Sequence, residues 1–142
     1  MIRPIIQKLG TRKIACAEKR RKKVMKTPKM TRGDLAEDLA LEYFNRKKFR
    51  LEVRNFNCRY GEIDLIMWDQ AYLVFIEVRY RASNSYGGAL ESIDQRKQSK
   101  LRKAAEFFLV STKRSDCTCR FDILCVNGNL TNPEYEWIAN AF

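Results

Sequence analysis

The sequence predicts an α/β domain in which a β-sheet is covered by helices. Three observations carry this. Apolar residues recur at helical spacing just after Thr31 and again after Asp94, and between them lie two adjoining runs, GEIDLIMW and YLVFIEVRYR, rich in branched and aromatic residues. The length of 142 residues, with 45% hydrophobic and 32% charged side chains, fits one soluble globular domain. No stretch approaches the roughly 18 apolar residues of a membrane helix, and the opening MIRPIIQKLG lacks the apolar core of a secretion signal, so a cytoplasmic location without membrane contact is expected. Histidine is absent, which excludes every mechanism that needs an imidazole as acid, base or metal ligand.

The net charge of +11 is unevenly placed. Residues 1–32 hold 12 Lys and Arg against the single acid Glu18, whereas the other 110 residues hold 16 basic and 16 acidic side chains. The run Lys19, Arg20, Arg21, Lys22, Lys23 reads as a solvated basic arm, followed by one domain over residues 33–142. Such an arm attracts phosphate without regard to sequence, but it serves equally as a solubilising tail. Five cysteines and no export signal read as reduced thiols. Cys117 and Cys119 share a strand face, yet no further cysteine or histidine pair completes a zinc tetrad.

The first helix begins at a capping box, Thr31 with Asp34, and runs about 14 residues. Leu35, Ala36, Leu39, Ala40, Tyr43 and Phe44 form its apolar stripe, and Glu37, Asp38 and Glu42 lie on its polar side. The segment LEVRNFNCRY alternates weakly and reads as a short strand near a sheet edge. The two central runs form a hairpin. Period two sets Glu62, Asp64, Ile66 and Trp68 on one face against Ile63, Leu65 and Met67, and likewise Leu73, Phe75, Glu77 and Arg79 against Tyr72, Val74, Ile76 and Val78. Both faces are largely apolar, so this is the middle of a covered sheet.

An even loop of two or four residues pairs Trp68 with Ala71, Asp64 with Phe75 and Glu62 with Glu77, which gathers three carboxylates on one face, whereas an odd loop separates them. Directly opposed side chains lie about 5 Å apart and diagonal ones about 7 to 8 Å, close enough for Asp64 and Glu77 to share a divalent ion. Like charges on an apolar face need compensation from Arg79, a helix lysine or a metal, and magnesium favours such oxygen ligands.

The second helix starts at the N-cap Asp94. Leu101, Ala104, Ala105, Phe108 and Leu109 make its core stripe, while Arg96, Lys97, Lys100 and Lys103 occupy other faces. Those cations read as an ordinary solvated surface or, beside an acidic site, as phosphate contacts. The preceding loop RASNSYGGALES is either a substrate-contacting segment or plain connection. CRFDILCV then reads as a strand with Phe121, Ile123 and Cys125 on one face and Arg120 and Asp122 on the other, the latter two as a structural ion pair. Trp137 and Phe142 read as lids over the sheet.

GEIDLI, FIEVRYR, YGGALESI and RKQSKLRKAAEFFL, in this order, resemble the YraN family of uncharacterised bacterial proteins, which is similar to Holliday-junction resolvases. The match runs from about Gly33 to the C-terminus and leaves the basic leader outside. The resemblance implies a restriction-endonuclease-like mixed β-sheet flanked by helices, with the D-x(n)-E-x-K signature at a metal site. Asp64 matches the first acid and Glu77 the second. Glu37 matches the extra acid that resolvase-like members bring from the first helix, and Glu62 lies beside the site in the GEID motif. Arg79 stands where the signature has lysine; a guanidinium stays protonated and offers orientation and charge, with Lys97 or Lys100 of the following helix as replacements.

The resemblance thus implies a metal-dependent endonuclease on DNA, including branched intermediates, with Asp64, Glu77, Glu37 and Glu62 as metal ligands for magnesium or manganese. Arg79 would hold the scissile phosphate, and Arg81, Arg96, Lys97, Gln98 and Lys100 would contact nucleic acid. Resolvase similarity also implies a homodimer, because a junction needs two symmetric cuts. One alternative is a non-catalytic nucleic-acid-binding module that retains the nuclease fold after Arg79 displaced the lysine; another is an interaction protein whose acid cluster is only a buried charge network.

Overall fold

A computed structural model describes residues 29–83, 91 and 93–142. The basic run of the leader and most of the loop between the hairpin and the second helix lie outside the described residues. The elements follow in the order α1 (Arg32–Arg46), β1 (Arg50–Cys58), β2 (Gly61–Asp69), β3 (Tyr72–Arg81), α2 (Gln95–Ser111), β4 (Cys119–Asn127) and β5 (Glu134–Ile138). The strands form one sheet in the order β1-β2-β3-β4-β5, antiparallel except for the parallel pair β3 and β4. This mixed sheet between two helices is an α/β single domain consistent with a restriction-endonuclease-like fold. Among the described residues no helix is long and apolar enough to cross a membrane.

Each helix starts where side-chain chemistry satisfies its free backbone donors. Thr31 Oγ1 accepts from Asp34 N–H and Asp34 accepts from Thr31 N–H, the reciprocal capping box. Asp94 accepts from Lys97 N–H at 2.7 Å at the head of α2. Helix α1 lays Ala36, Ala40 and Phe44 on Leu65, Met67, Val74, Ile76, Leu124 and Val126. Helix α2 lays Leu101, Ala104, Ala105 and Phe108 on Ile63, Ile66, Leu73, Phe75, Ile123 and Cys125 on the opposite side. Burial of both sheet faces explains why β2 and β3 are nearly continuous apolar runs. Leu35, expected in the α1 stripe, is instead 38% exposed at the first turn, while its neighbour Ala36 is buried.

Two expectations about the hairpin are corrected. The turn contains only Gln70 and Ala71, with Asp69 opposite Tyr72, so Trp68 pairs with Leu73 and Ile66 with Phe75. The register is therefore shifted by two from the expected one: Asp64 comes level with Glu77, one step past the last pair, Leu65 and Ile76, and Glu62 does not face Glu77. Gln70 adopts φ 53°, the left-handed conformation such tight turns demand. The strict alternation also fails in β2. The β1–β2 ladder passes from Arg54 opposite Leu65 to Phe56 opposite Ile63, with Asn55 at φ 52° between them, and Ile63 joins Ile66 on the α2 side instead of Leu65 on the α1 side.

Candidate metal and nucleic-acid site

The site forms where β3 parts from β2. The pairs between these strands end at Leu65 and Ile76, whereas β3 stays paired with β4 as far as Arg81 opposite Asn127. Asp64 takes up the freed backbone donor: its Oδ2 accepts from Val78 N–H at 2.7 Å. That bond turns the Asp64 carboxylate toward β3, next to Glu77. The two strands thus bring the aspartate of GEID and the glutamate of FIEVR together, as the shared face predicts.

Burial and neighbouring charge together set the state of the Asp64 carboxyl. Removal from water, then repulsion from Glu77, pushes the Asp64 pKa up to about 7; the Val78 N–H bond opposes the rise, the Glu37 charge adds to it and Lys97 opposes it. Glu77 is only 4% exposed. Its Oε1 lies 2.9 Å from Lys97 Nζ and 3.6 Å from Arg79 Nε, while its Oε2 is buried without a hydrogen-bond partner among the described residues. A buried carboxylate oxygen left unpaired costs more than the about 1–3 kcal/mol of a neutral group, so it calls for a cation.

Glu37 reaches the neighbourhood from α1, but its Oε2 pairs with Arg54 Nη2 at 3.4 Å. Arg54 also bonds Asp38, which pins α1 to β1 beside the site. Glu62 is exposed across from Asn57 and is absent from the groups that perturb Asp64. Among the described residues, no three acidic or thiol side chains close on one point. Asp64 and the unpaired Glu77 oxygen nonetheless fit a hard divalent cation that keeps several waters, as magnesium does, with backbone or phosphate oxygens completing the shell.

The basic residues separate into groups. Lys97 enters the site from α2, and with Asp94, Arg96 and Lys100 it borders an open cleft of about 290 Å³. Arg96 and Lys100 are exposed there. Arg79 is half-buried against Glu77, and Arg81 lies two residues further along β3; both oppose the rise that burial imposes on the Cys125 thiol. The Gln98 amide donates to the Ile93 carbonyl at 3.2 Å, a contact that fastens the start of α2 rather than facing outward. Lys97 on Glu77 was legible only as one of two alternatives, because sequence spacing cannot say which face of α2 the β3–β4 crossover turns inward.

The comparisons with known proteins bear on the same elements. A family model described as uncharacterised protein family UPF0102 matches residues 36–126, which spans α1 through nearly all of β4. The chain belongs to that family. Its relatives include a UPF0102 protein of Stutzerimonas stutzeri, 47% identical over 78% of this chain and 92% of the relative. One from Pseudomonas entomophila is 46% identical over 78% and 91%, and one from Psychromonas ingrahamii 44% over 83% and 98%. UPF0102 is the YraN family that the GEIDLI and FIEVRYR motifs resemble. The segment matched by the UPF0102 model contains Glu37, Asp64, Glu77, Arg79 and Lys97, all the groups gathered at the parting of β2 and β3.

Proposed function

We propose that this protein is a magnesium-dependent endonuclease acting on DNA phosphodiesters, branched recombination intermediates included. The single observation that carries the reading is the half-buried Asp64 beside the buried Glu77, with one Glu77 oxygen unpaired and cations grouped beside it. The D-x(n)-E-x-K signature that the motifs resemble supports it. Asp64, Glu77 and the Val78 carbonyl would hold the cation, which when bound supplies charge stabilisation at the phosphoryl oxygens and a lowered pKa for water.

The chain's own residues divide the remaining work. Arg79 orients and neutralises the scissile phosphate through fixed guanidinium donors, which cannot trade a proton at neutral pH. Lys97 brings to Glu77 the ammonium that Arg79 replaced in the β3 signature, and from there its Nζ orients the attacking water. Magnesium-dependent nicking of single-stranded, duplex or junction DNA is expected from the wild type. Asp64→Asn abolishes it, and Lys97→Gln lowers kcat by about 100-fold or more, in line with the usual weight of such a group. Unchanged nicking by Asp64→Asn refutes the assignment.

A second reading is favoured by one residue, Arg79: a non-catalytic nucleic-acid-binding module that kept the fold. It predicts salt-sensitive binding without turnover and indifference to chelator. Arg79→Lys separates the two, because a site already furnished with Lys97 gains little from it.

A further inference from the structure

Along α2, Arg96, Lys100, Lys103, Phe107 and Val110 follow one another at intervals of four and three residues, all of them exposed, so they form one line on the helix surface. The line begins beside Lys97, whose Nζ touches Glu77. It ends at a second open cleft of about 390 Å³, bordered by Lys103, Glu106, Phe107, Val110 and Tyr60. Tyr60 arrives from the β1–β2 turn, which crosses α2 next to Lys100: a Cβ on Gly61 would lie 3.6 Å from the Lys100 Cβ. The Tyr60 and Phe107 rings meet edge-on, centroids 5.9 Å apart, and the Arg59 guanidinium lies 4.7 Å over the Tyr60 ring.

Three of the seven exposed large hydrophobic side chains among the described residues, Tyr60, Phe107 and Val110, therefore border one cleft. Scattered singly they would need no explanation; gathered at the end of a basic line they do. We infer that this line is a track for a nucleic-acid strand, with Arg96, Lys100 and Lys103 on successive phosphates and an unpaired base lodged on the Tyr60–Phe107 rings. The inference rests on the nucleic-acid substrate of the reading above and narrows it to substrates with single-stranded or unstacked nucleotides.

Physical fit supports this occupant. Helical rise places Phe107 about 16 Å beyond Arg96, room for a few nucleotides of extended strand. The cleft volume lies within the range of ligand sites. Aromatic side chains bind bases by stacking whichever base is offered, but a blunt duplex keeps its bases stacked inward. A second copy of this chain suits the surface less well, since an antiparallel two-fold pairing would set Lys103 against its own copy and press Arg96 and Lys100 onto Val110 and Phe107, with Glu106 the one acid at the cleft to offset them.

The test measures fluorescence anisotropy of a labelled 12-nucleotide oligo-dT, the matching oligo-rU and a 12-base-pair blunt duplex, with full-length protein in chelator over a series of salt concentrations. The leader is common to all variants, and its contribution to phosphate binding is suppressed toward the high end of the salt series, where the variants are compared. Phe107→Ala and Tyr60→Ala are expected to weaken strand binding about 10-fold each, at unchanged salt slope and unchanged duplex affinity, with Phe107→Tyr restoring it. Lys100→Gln and Lys103→Gln are expected to weaken both ligands and flatten the slope by just under one each. Both rings are exposed, and unchanged thermal melting of the alanine variants checks the fold. Equal rU and dT affinity supports a strand site blind to the sugar.

Strand binding that ignores Phe107→Ala overturns the inference, as does an equal loss for strand and duplex. A dimer that Phe107→Ala dissolves while strand binding persists also overturns it, because the cleft is then a self-interface. Ring-dependent strand binding without magnesium-dependent nicking leaves the inference standing and strikes the nuclease reading alone; no binding of any nucleic acid removes both.

Discussion

Asp64 links the chemistry of the site to the stability of the fold. Its carboxyl is neutral in the folded protein up to about pH 7, whereas in the unfolded chain it ionises near its ordinary value of 3.8. Between these values folding takes up a proton, so the group's stabilising contribution is complete below about pH 4 and is lost as pH rises to about 7. The span corresponds to at most about 4 kcal/mol, less what coupling to Glu77 and solvent access remove. Urea midpoints in chelator are expected to fall from pH 5 to pH 8 for the wild type and to change far less for Asp64→Asn. Magnesium is expected to recover stability at pH 8 and not at pH 5, since the cation needs the ionised carboxylate. Parallel pH slopes in the two proteins would show that Asp64 is not the group that titrates.

At the level of elements, the sequence disclosed faces better than partners. The expected register was off by two residues because the break after Trp68 was read as loop, when Asp69 and Tyr72 in fact still pair. An even shift preserves which side chains share a face, so Ile66, Phe75 and Glu77 kept theirs and the carboxylates still converged. Ile63 did not, because period two assumes an uninterrupted strand and Asn55 breaks the ladder at its positive φ. The parallel pairing of β3 with β4 left no trace in the alternation, which reports burial and not the neighbour. Nor could the spacing of Glu37 disclose that Arg54 of β1 already claims it. The break at Asn55 stands opposite Asp64 and helps to aim it. A β-branched residue resists that φ, so Asn55→Val is expected to cost about 1–2 kcal/mol and to shrink the pH slope just described, while Asn55→Gly keeps the slope. Urea titrations at pH 5 and pH 8 read both effects; a full slope in Asn55→Val would mean that the interruption does not orient Asp64.

Over the whole molecule, the face opposite the site's cations is closed by one buried carboxylate. Asp122, 1% exposed, accepts from Arg120 Nε at 3.0 Å, from Trp137 Nε1 at 3.1 Å and from Asn140 N–H at 2.9 Å. Arg120 continues to Asp69 at 2.9 Å, at the edge of the hairpin turn. The network ties β2, β4, β5 and the C-terminal turn together on the α1 face of the sheet, from the hairpin turn up to Asp122 opposite Ile76, while Trp137 shares an aromatic cluster with Tyr43, Phe44 and Phe49. The pair of Arg120 and Asp122 two residues apart is thus structural, as its spacing predicts. Removing the carboxylate takes away one of the two acids that hold the Arg120 guanidinium and leaves two further donors unpaired, so Asp122→Ala is expected to cost about 3–5 kcal/mol, a large share of the roughly 5–15 kcal/mol that holds a domain of this size. Denaturant unfolding should show a lower midpoint at unchanged slope. Because the network does not touch Asp64, Glu77 or Lys97, magnesium affinity measured well below the melting temperature should equal that of the wild type; a matched loss of magnesium binding would mean that the two faces of the sheet are coupled, and that the site is not held locally by β2, β3 and α2.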